Sequence, residues 1–188
     1  MGNGPLIDAL RSSQALGFLG RQPIEATIAH ADAFVAALRA VSGEVVDLGS
    51  GGGVPGLVIA WRRPDLHVTL TERREARADH LRRLVSRLGV ADRVAVDGRD
   101  ARRLTPATAD AVVARSFGSP AATARVAGRL LRAGGRLVVS EPPDGDRDRW
   151  PEPLLRDAGL QSLIQFDHRV FVAIRATPSA DVPRETST

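Results

Sequence analysis

The sequence predicts an α/β fold: a doubly wound, mostly parallel sheet of seven strands, preceded by a short N-terminal helical region. Three observations predict it. The apolar run Val45-Val46-Asp47-Leu48 feeds a glycine-rich turn, Gly49 to Gly56, and a helical stretch opens at Leu57. A strand, glycine turn and helix in that order is how an α/β protein holds a nucleotide-like ligand. Five short apolar runs alternate with helical patterns as far as Ser140, as parallel strands joined by crossover helices do. Two last apolar runs are separated by only a short connection, so one antiparallel strand is expected near an edge.

The elements follow in chain order. Leu6, Ile7 and Leu10, then Leu16, Phe18 and Leu19, suggest one short helix and a turn at Gly17 to Gly20. Pro23 to Ala40 reads as a longer helix, with Ile24, Ile28, Ala31, Phe34, Val35 and Leu38 at helical spacing. Glu44 to Leu48 is the first strand, apolar enough to be buried on both faces. A helix follows the turn to about Arg63, where Pro64-Asp65 stops it. Leu66 to Thr71 is the second strand, with Glu72 at its end. Arg74 to Leu88 is the next helix, apolar at Ala78, Leu81, Leu84, Val85 and Leu88, and Gly89 terminates it. Arg93 to Asp97 and Asp110 to Ala114 are the third and fourth strands. A helix covers about Ala121 to Leu131, Ala133-Gly134-Gly135 is a tight turn, and Arg136 to Ser140 is the fifth strand. Glu141-Pro142-Pro143-Asp144-Gly145 breaks regular structure, and the stretch to Arg149 is charged and solvated. A short helix over Pro153 to Ala158 leads to strands at Leu160 to Phe166 and Arg169 to Arg175, joined through Asp167-His168. The expected organisation is thus a helical segment over 1–42, a catalytic or binding domain over 43–175 and a disordered tail over 176–188.

Composition narrows the function classes. The 188 residues are 43% hydrophobic, enough for one domain with a sizeable core. No apolar run reaches a membrane span, no secretion signal is evident at the start, and cysteine is absent. A cytoplasmic protein without disulfides or thiolate chemistry is expected. Net charge is +4 and all 26 basic residues are arginine. A total lack of lysine reads as codon bias before it reads as a phosphate-binding surface. The arginines of the third long helix (Arg73, Arg74, Arg77, Arg82, Arg83, Arg87) read as a solvated face, and His80 among them as a surface residue. The four histidines have no metal-ligand spacing, so no metal is expected. Trp61 and Trp150 read as core and loop-packing residues.

Right-handed crossovers place the parallel strand ends on one rim. Asp47, Glu72, the 97–101 stretch, Arg115 and Glu141 are therefore expected to converge. Gly51, Gly53 and Gly56 match a dinucleotide spacing, but Asp47 at the strand end suits a cation better than a pyrophosphate. S-adenosylmethionine is such a cation. Glu72, 25 residues after Asp47, can accept ribose hydroxyls. Asp97 or Asp100 can accept an adenine amino group, and Asp100 is better placed.

The order of parts resembles the class I S-adenosylmethionine-dependent methyltransferases, whose domain is Rossmann-like. Asp47-Leu48-Gly49-Ser50-Gly51-Gly52-Gly53-Val54-Pro55-Gly56 is similar to the turn of the bacterial 16S rRNA guanine-N7 methyltransferases (glucose-inhibited division protein B). Val113-Ala114-Arg115-Ser116-Phe117 and Gly98-Arg99-Asp100-Ala101 resemble two further motifs of that family, and the likeness covers Gly43 to Ser140. The resemblance implies S-adenosylmethionine as cofactor and rRNA or the small ribosomal subunit as partner. It implies a cofactor site made of Asp47, Gly49, Ser50, Gly51, Gly53, Val54, Glu72, Asp100, Ala101 and Arg115. Gly49 and Val54 would line the methionine and ribose, Asp100 and Ala101 the adenine. Arg115 would stand at the boundary of cofactor and substrate. Apart from the resemblance, Glu141 at the end of the fifth strand is a second candidate catalytic residue by its place on the same rim. Two departures matter: Ala101 stands where that family has Glu, and Glu141-Pro142-Pro143 replaces its Lys-Gly. The second, with the short N-terminal region, keeps a small-molecule acceptor open. A non-catalytic cofactor- or partner-binding module and an NAD-dependent oxidoreductase are the other readings.

Overall fold

The structure is a computed structural model and describes residues 2–142, 147–163 and 169–177. Seven strands form one sheet in the order β3-β2-β1-β4-β5-β7-β6. Their ranges are β1 Gly43–Leu48, β2 Leu66–Thr71, β3 Val94–Asp97, β4 Ala109–Ala114, β5 Leu131–Ser140, β6 Leu160–Ser162 and β7 Val170–Arg175. The chain winds outward from β1 to β3 and then returns to β4 on the other side of β1. β1 to β5 are parallel, and β7 runs antiparallel between β5 and β6, the inserted strand that the terminal hairpin pattern predicts. The reversal of winding lies between β1 and β4, where Leu48 is level with Thr71 on one side and Ala114 on the other. Open α/β sheets bind ligands at such a point.

Among the described residues, six α-helices, α1 Gly4–Ala15, α2 Ile24–Ala37, α3 Gly56–Arg62, α4 Glu75–Arg87, α5 Pro120–Leu130 and α6 Glu152–Asp157, cover the two faces. Successive strand side chains point to opposite faces, and β1 shows the consequence. Val45 joins a core with Leu6, Phe34, Leu57 and Leu81 from α1 to α4, whereas Val46 and Leu48 join one with Leu130, Trp150 and Leu155 on the α5 and α6 side. α2 packs on α3 and against β5 and β7, while α1 packs on α2, α3 and α4. Ser119 caps α5 by accepting the Ala122 amide at 3.3 Å, and Pro120 takes the first turn, where its missing N–H costs nothing.

Two expectations change. The Ala133-Gly134-Gly135 turn is not a connection ahead of the fifth strand. Leu131 already pairs with Ala109, residues 132–135 bulge out, and pairing resumes at Arg136 opposite Ala111. Gly134, with φ at +76°, supplies the bend. The sixth strand is three residues long. The Asp144-Gly145 part of the charged loop, the Asp167-His168 connection and the tail from Pro178 lie outside the described residues. Among the described residues, no helix is long and apolar enough to cross a membrane.

Candidate functional site

The rim at the ends of β1, β2 and β4 carries two cavities. One, of about 290 Å³, is lined by Gly49, Glu72, Asp100 and Ala101 together with Thr71 and several arginines. The other, of about 950 Å³, is lined by Arg115, Glu141, His30, Ser140, Arg149, Trp150 and their neighbours. Ser116, Phe117 and Gly118, just past β4, line both. A two-chamber site with a common wall is therefore present where the winding reverses.

The turn after β1 is built from its ends inward. Asp47 is fully buried, and its Oδ2 accepts the Gly56 amide at 3.0 Å. A Cβ on Gly56 would lie 2.5 Å from that same oxygen and against Leu70, so the closing glycine is what lets the two ends of the turn meet. Thr71 Oγ1 donates to the Asp47 carbonyl at 2.9 Å and accepts the Gly49 amide at 3.1 Å. These bonds fix Gly49 at the cavity wall. Burial pushes the Asp47 carboxyl up to about 7, outweighing the Ser50 hydroxyl, the Gly56 amide and the Arg115 charge, which pull it down. Asp47 Oδ1 and Arg115 Nη1 are buried and have no hydrogen-bond partner. Burial works against the Arg115 charge and Asp47 supports it.

Asp47, Ser50, Gly51, Gly53 and Val54 line neither cavity. The middle of the turn instead receives the N-terminal segment: a Cβ on Gly52 would lie 2.8 Å from the Phe18 carbonyl oxygen and 2.5 Å from Leu19 Cγ. Phe18 is held in turn by Arg77, 5.3 Å above its ring, and by the edge of His80 at 5.5 Å. His80 is therefore not a surface residue. It lies on the inner face of α4, 5% exposed, with Nε2 2.9 Å from Ser13 Oγ, and burial lowers its pKa, with Arg83 adding to the effect. Phe18 and Leu19 are the apolar signal that this segment packs on something, while their neighbour Leu16 is exposed.

On the first cavity's far side, Glu72 Oε1 accepts the Arg74 amide at 2.9 Å. Asp100 caps a single 3-10 turn, Ala101–Arg103, through the Arg102 amide at 3.0 Å. Asp97 is engaged by Arg99, whose Nη2 is 2.7 Å away and holds its pKa down, so Asp100 is the residue that lines the cavity. Arg73, Arg74 and Arg77 line it too, and Arg73 and Arg74 are at the same time exposed, as the solvated face expected of these arginines requires.

The second cavity is assembled from distant segments. His30 Nε2 is 2.9 Å from Ser140 Oγ, and burial, with Arg115 and Arg169, lowers the His30 pKa. Trp150 Nε1 donates to Glu141 Oε1 at 2.9 Å and Arg149 Nη1 to Oε2 at 3.1 Å. Trp150 stacks on Phe171 at 4.7 Å. Sequence reasoning assigned no site role to His30, Ser140, Arg149 or Trp150, which meet only through the fold. Among the described residues, no group of three or more His, Asp or Glu is placed to hold a metal ion.

Residues 28–141 match the family model of GidB, described as rRNA small subunit methyltransferase G. The ribosomal RNA small subunit methyltransferase G of Bordetella pertussis is 38% identical over 143 residues, covering 75% of this chain and 57% of that protein. The protein of the same name from Rhizorhabdus wittichii is 46% identical over 72 residues, 38% of this chain and 33% of that one. The chain thus spans between a third and somewhat over half of the length of these curated relatives. Among solved structures, the mitomycin 7-O-methyltransferase MmcR superposes with a TM-score of 0.64 at 20% identity, over 81% of this chain and 54% of that one. The apo form of the S-adenosylmethionine-dependent methyltransferase SibL gives 0.64 at 19%, over 93% and 70%. At these identities the likeness shows the fold, a seven-stranded Rossmann-like sheet of the class I methyltransferase type.

Proposed function

The chain belongs to the rRNA small subunit methyltransferase G family, and from that premise we propose that it transfers a methyl group from S-adenosylmethionine to N7 of a guanine in 16S rRNA, acting in the cytoplasm on the small ribosomal subunit or its RNA. The observation that carries the reading is the pair of cavities sharing the wall Ser116 to Gly118, one for a donor and one for an acceptor.

The residues present fit the cofactor. Asp47 Oδ1 and Arg115 Nη1, both buried and unpartnered, suit a ligand that carries an ammonium and a carboxylate, as the methionine part of S-adenosylmethionine does. A buried polar atom without a partner costs roughly 1–3 kcal/mol, so a ligand that satisfies both recovers that penalty. Glu72, with Oε1 on the Arg74 amide, keeps Oε2 for ribose hydroxyls. Asp100 and the Ala101 backbone line the adenine end.

The cofactor, when bound, supplies a methyl group activated by a positively charged sulfur. Guanine N7 already has a lone pair, so no base on this chain would be needed to remove a proton before it accepts the methyl group. The chain's work is then alignment and electrostatics. Phe117 and the flanking backbone separate the chambers, Arg115 lines the acceptor chamber, and Asp47, buried behind the turn and lining neither chamber, acts on the positive end of the donor through its charge.

The small-molecule reading rests on the short N-terminal region and on Glu141 as an anion beside the acceptor. Arg149 pairs with that carboxylate, so the anion is compensated and does not repel RNA as a bare charge would. The test is tritiated methyl transfer to 30S subunits and to naked 16S rRNA from a strain lacking the modification, with borohydride and aniline cleavage to map N7-methylguanine. Label in rRNA that maps to N7 is expected. Unlabelled rRNA in both forms overturns the reading.

A further inference from the structure

Glu141 is the one acidic residue in the described lining of the acceptor cavity, and the fold holds it with unusual care for a side chain in a loop. It is 7% exposed. Its amide donates to the Arg169 carbonyl at 2.8 Å. Trp150 fixes Oε1 and Arg149 fixes Oε2, and Trp150 is itself locked against Phe171 with the rings 1° from parallel. A buried carboxylate is costly unless its charge and lone pairs are met. Trp150 and Arg149 meet one acceptor position on each oxygen, and an ionised carboxylate has about two per oxygen. One acceptor position therefore remains on each of two adjacent oxygens, with the carboxylate held in place by the protein.

Side-by-side acceptors call for side-by-side donors. Among the four RNA bases, only guanine presents two adjacent N–H donors on its Watson–Crick edge, at N1 and N2. Adenine and cytosine pair one donor with an acceptor there, and uracil flanks its one donor with two carbonyls. Enzymes that act on a base read that edge by hydrogen bonds inside a pocket. Guanine N7 is on the opposite edge of the base and stays free when the N1 and N2 edge is held.

We propose that Glu141 selects guanine as the acceptor base by accepting its N1–H and N2–H groups on the two carboxylate oxygens, with Trp150 and Arg149 as positioning residues. This rests on the acceptor cavity of the proposed methyl transfer, but it concerns binding and is tested without turnover.

Ligand-observed NMR on the full chain, which reads millimolar affinities, compares guanosine, inosine and adenosine monophosphates. Inosine lacks only the N2 amino group. The loss of one hydrogen bond to a charged acceptor predicts roughly ten- to hundredfold weaker binding for inosine monophosphate, and weaker still for adenosine monophosphate. Glu141→Gln keeps the size of the side chain but replaces one acceptor with a donor, and is expected to bind the guanine and inosine nucleotides alike. Equal affinity of the two in the unsubstituted protein overturns the proposal, as does no saturable binding of guanosine monophosphate or an unchanged preference in Glu141→Gln. The first comparison needs no variant, so poor folding of Glu141→Gln cannot mask the result. A protein that prefers guanine yet leaves rRNA unlabelled retains this assignment and loses the proposed reaction. One that labels rRNA with no preference between the two nucleotides loses this assignment alone.

Discussion

The two cavities are made in different ways. The donor side is local: Asp47 reaches Gly56 nine residues on, Asp100 caps the turn that follows it, and Glu72 accepts the amide two residues on. The acceptor side is remote: His30 meets Ser140 across 110 residues, and the amide of Glu141 bonds to Arg169. The turns of the donor side can be written as motifs, because each bonds within itself, although the sheet brings the turns together. A remote pocket exists only after the sheet has formed, and its residue types carry no spacing. The contrast makes distinct predictions for the two sides.

The largest concerns Asp47 in the ligand-free protein. Its folded pKa is raised to about 7 from an ordinary 3.8, so between those values the folded state holds the proton more tightly than the unfolded chain. The stability this contributes is complete below about pH 4 and is lost as pH rises through about 7, a total of about 4 kcal/mol. Asp47→Asn cannot ionise, so urea unfolding from pH 4 to 8 should show the variant gaining on the unsubstituted protein by that order. Parallel curves would mean that Asp47 is not buried as a carboxyl. Cofactor affinity carries the opposite sign, because a cationic ligand favours the ionised form. It should rise with pH through about 7, and calorimetric titration across that range would read it.

Gly56→Ala comes next. Its Cβ would meet Asp47 Oδ2 and Leu70, and overpacking of this kind costs about 1–3 kcal/mol. S-adenosylmethionine affinity should fall with stability, since Asp47 must move. At Gly51 the nearest atom to a new Cβ is a carbonyl oxygen 3.7 Å away, so the strain there comes from φ at +54° and costs about 1 kcal/mol. Equal losses of affinity at the two glycines would contradict the finding that the middle of the turn faces Phe18 and Leu19.

Arg115 is where the two sides meet. It lines the acceptor cavity and acts electrostatically on Asp47. Arg115→Ala should lower both cofactor affinity, by about 2 kcal/mol for a lost bond between charged groups, and methyl transfer. The unfolding midpoint should hardly move, because the group it removes is half-buried and unpaired. A variant that loses transfer while cofactor affinity holds would confine Arg115 to the acceptor side.

The same division explains what was legible in the sequence. The strands and helices of the doubly wound core follow from apolar periodicity, and the ends of β1, β2 and β4 follow from handedness once the strands are known. The places of Asp47, Glu72 and Asp100 at the rim are legible because each sits at or just past a strand end and bonds within its own turn, whereas the burial of Asp47 away from both cavities is not. The bulge in β5 is not, because a Gly-Gly pair marks a connection and a bulge alike, and only pairing with β4 decides between them. His80 is misread because arginines on one face of α4 hide the inward register of its neighbours Ala78 and Leu81. The packing of Phe18 and Leu19 over the glycine turn has an apolar signal but no address. Trp150 is legible as a packing residue, whereas its bond to Glu141 is not.

The smallest effect separates the two sides most cleanly, because it removes one hydroxyl from each. Ser140→Ala deletes the partner of His30 Nε2 at 2.9 Å, and Ser50→Ala deletes a longer bond, 3.2 Å, to the Asp47 carbonyl. A neutral hydrogen bond contributes about 1 kcal/mol net, so neither variant should unfold. Ser50→Ala loosens the turn that carries Gly49 and should shift S-adenosylmethionine affinity a few-fold while leaving the acceptor KM alone. Ser140→Ala should do the reverse, because His30 and Ser140 line only the acceptor cavity. It also frees the His30 ring, whose pKa burial and two arginines hold down. A His whose folded pKa lies below its unfolded value loses stability as pH falls through 6.5, so any cost of Ser140→Ala that depends on pH should appear on the acid side. If both serines moved cofactor affinity equally, the shared wall at Ser116 to Gly118 would be transmitting strain between the chambers, and the two sides would have to be treated as one.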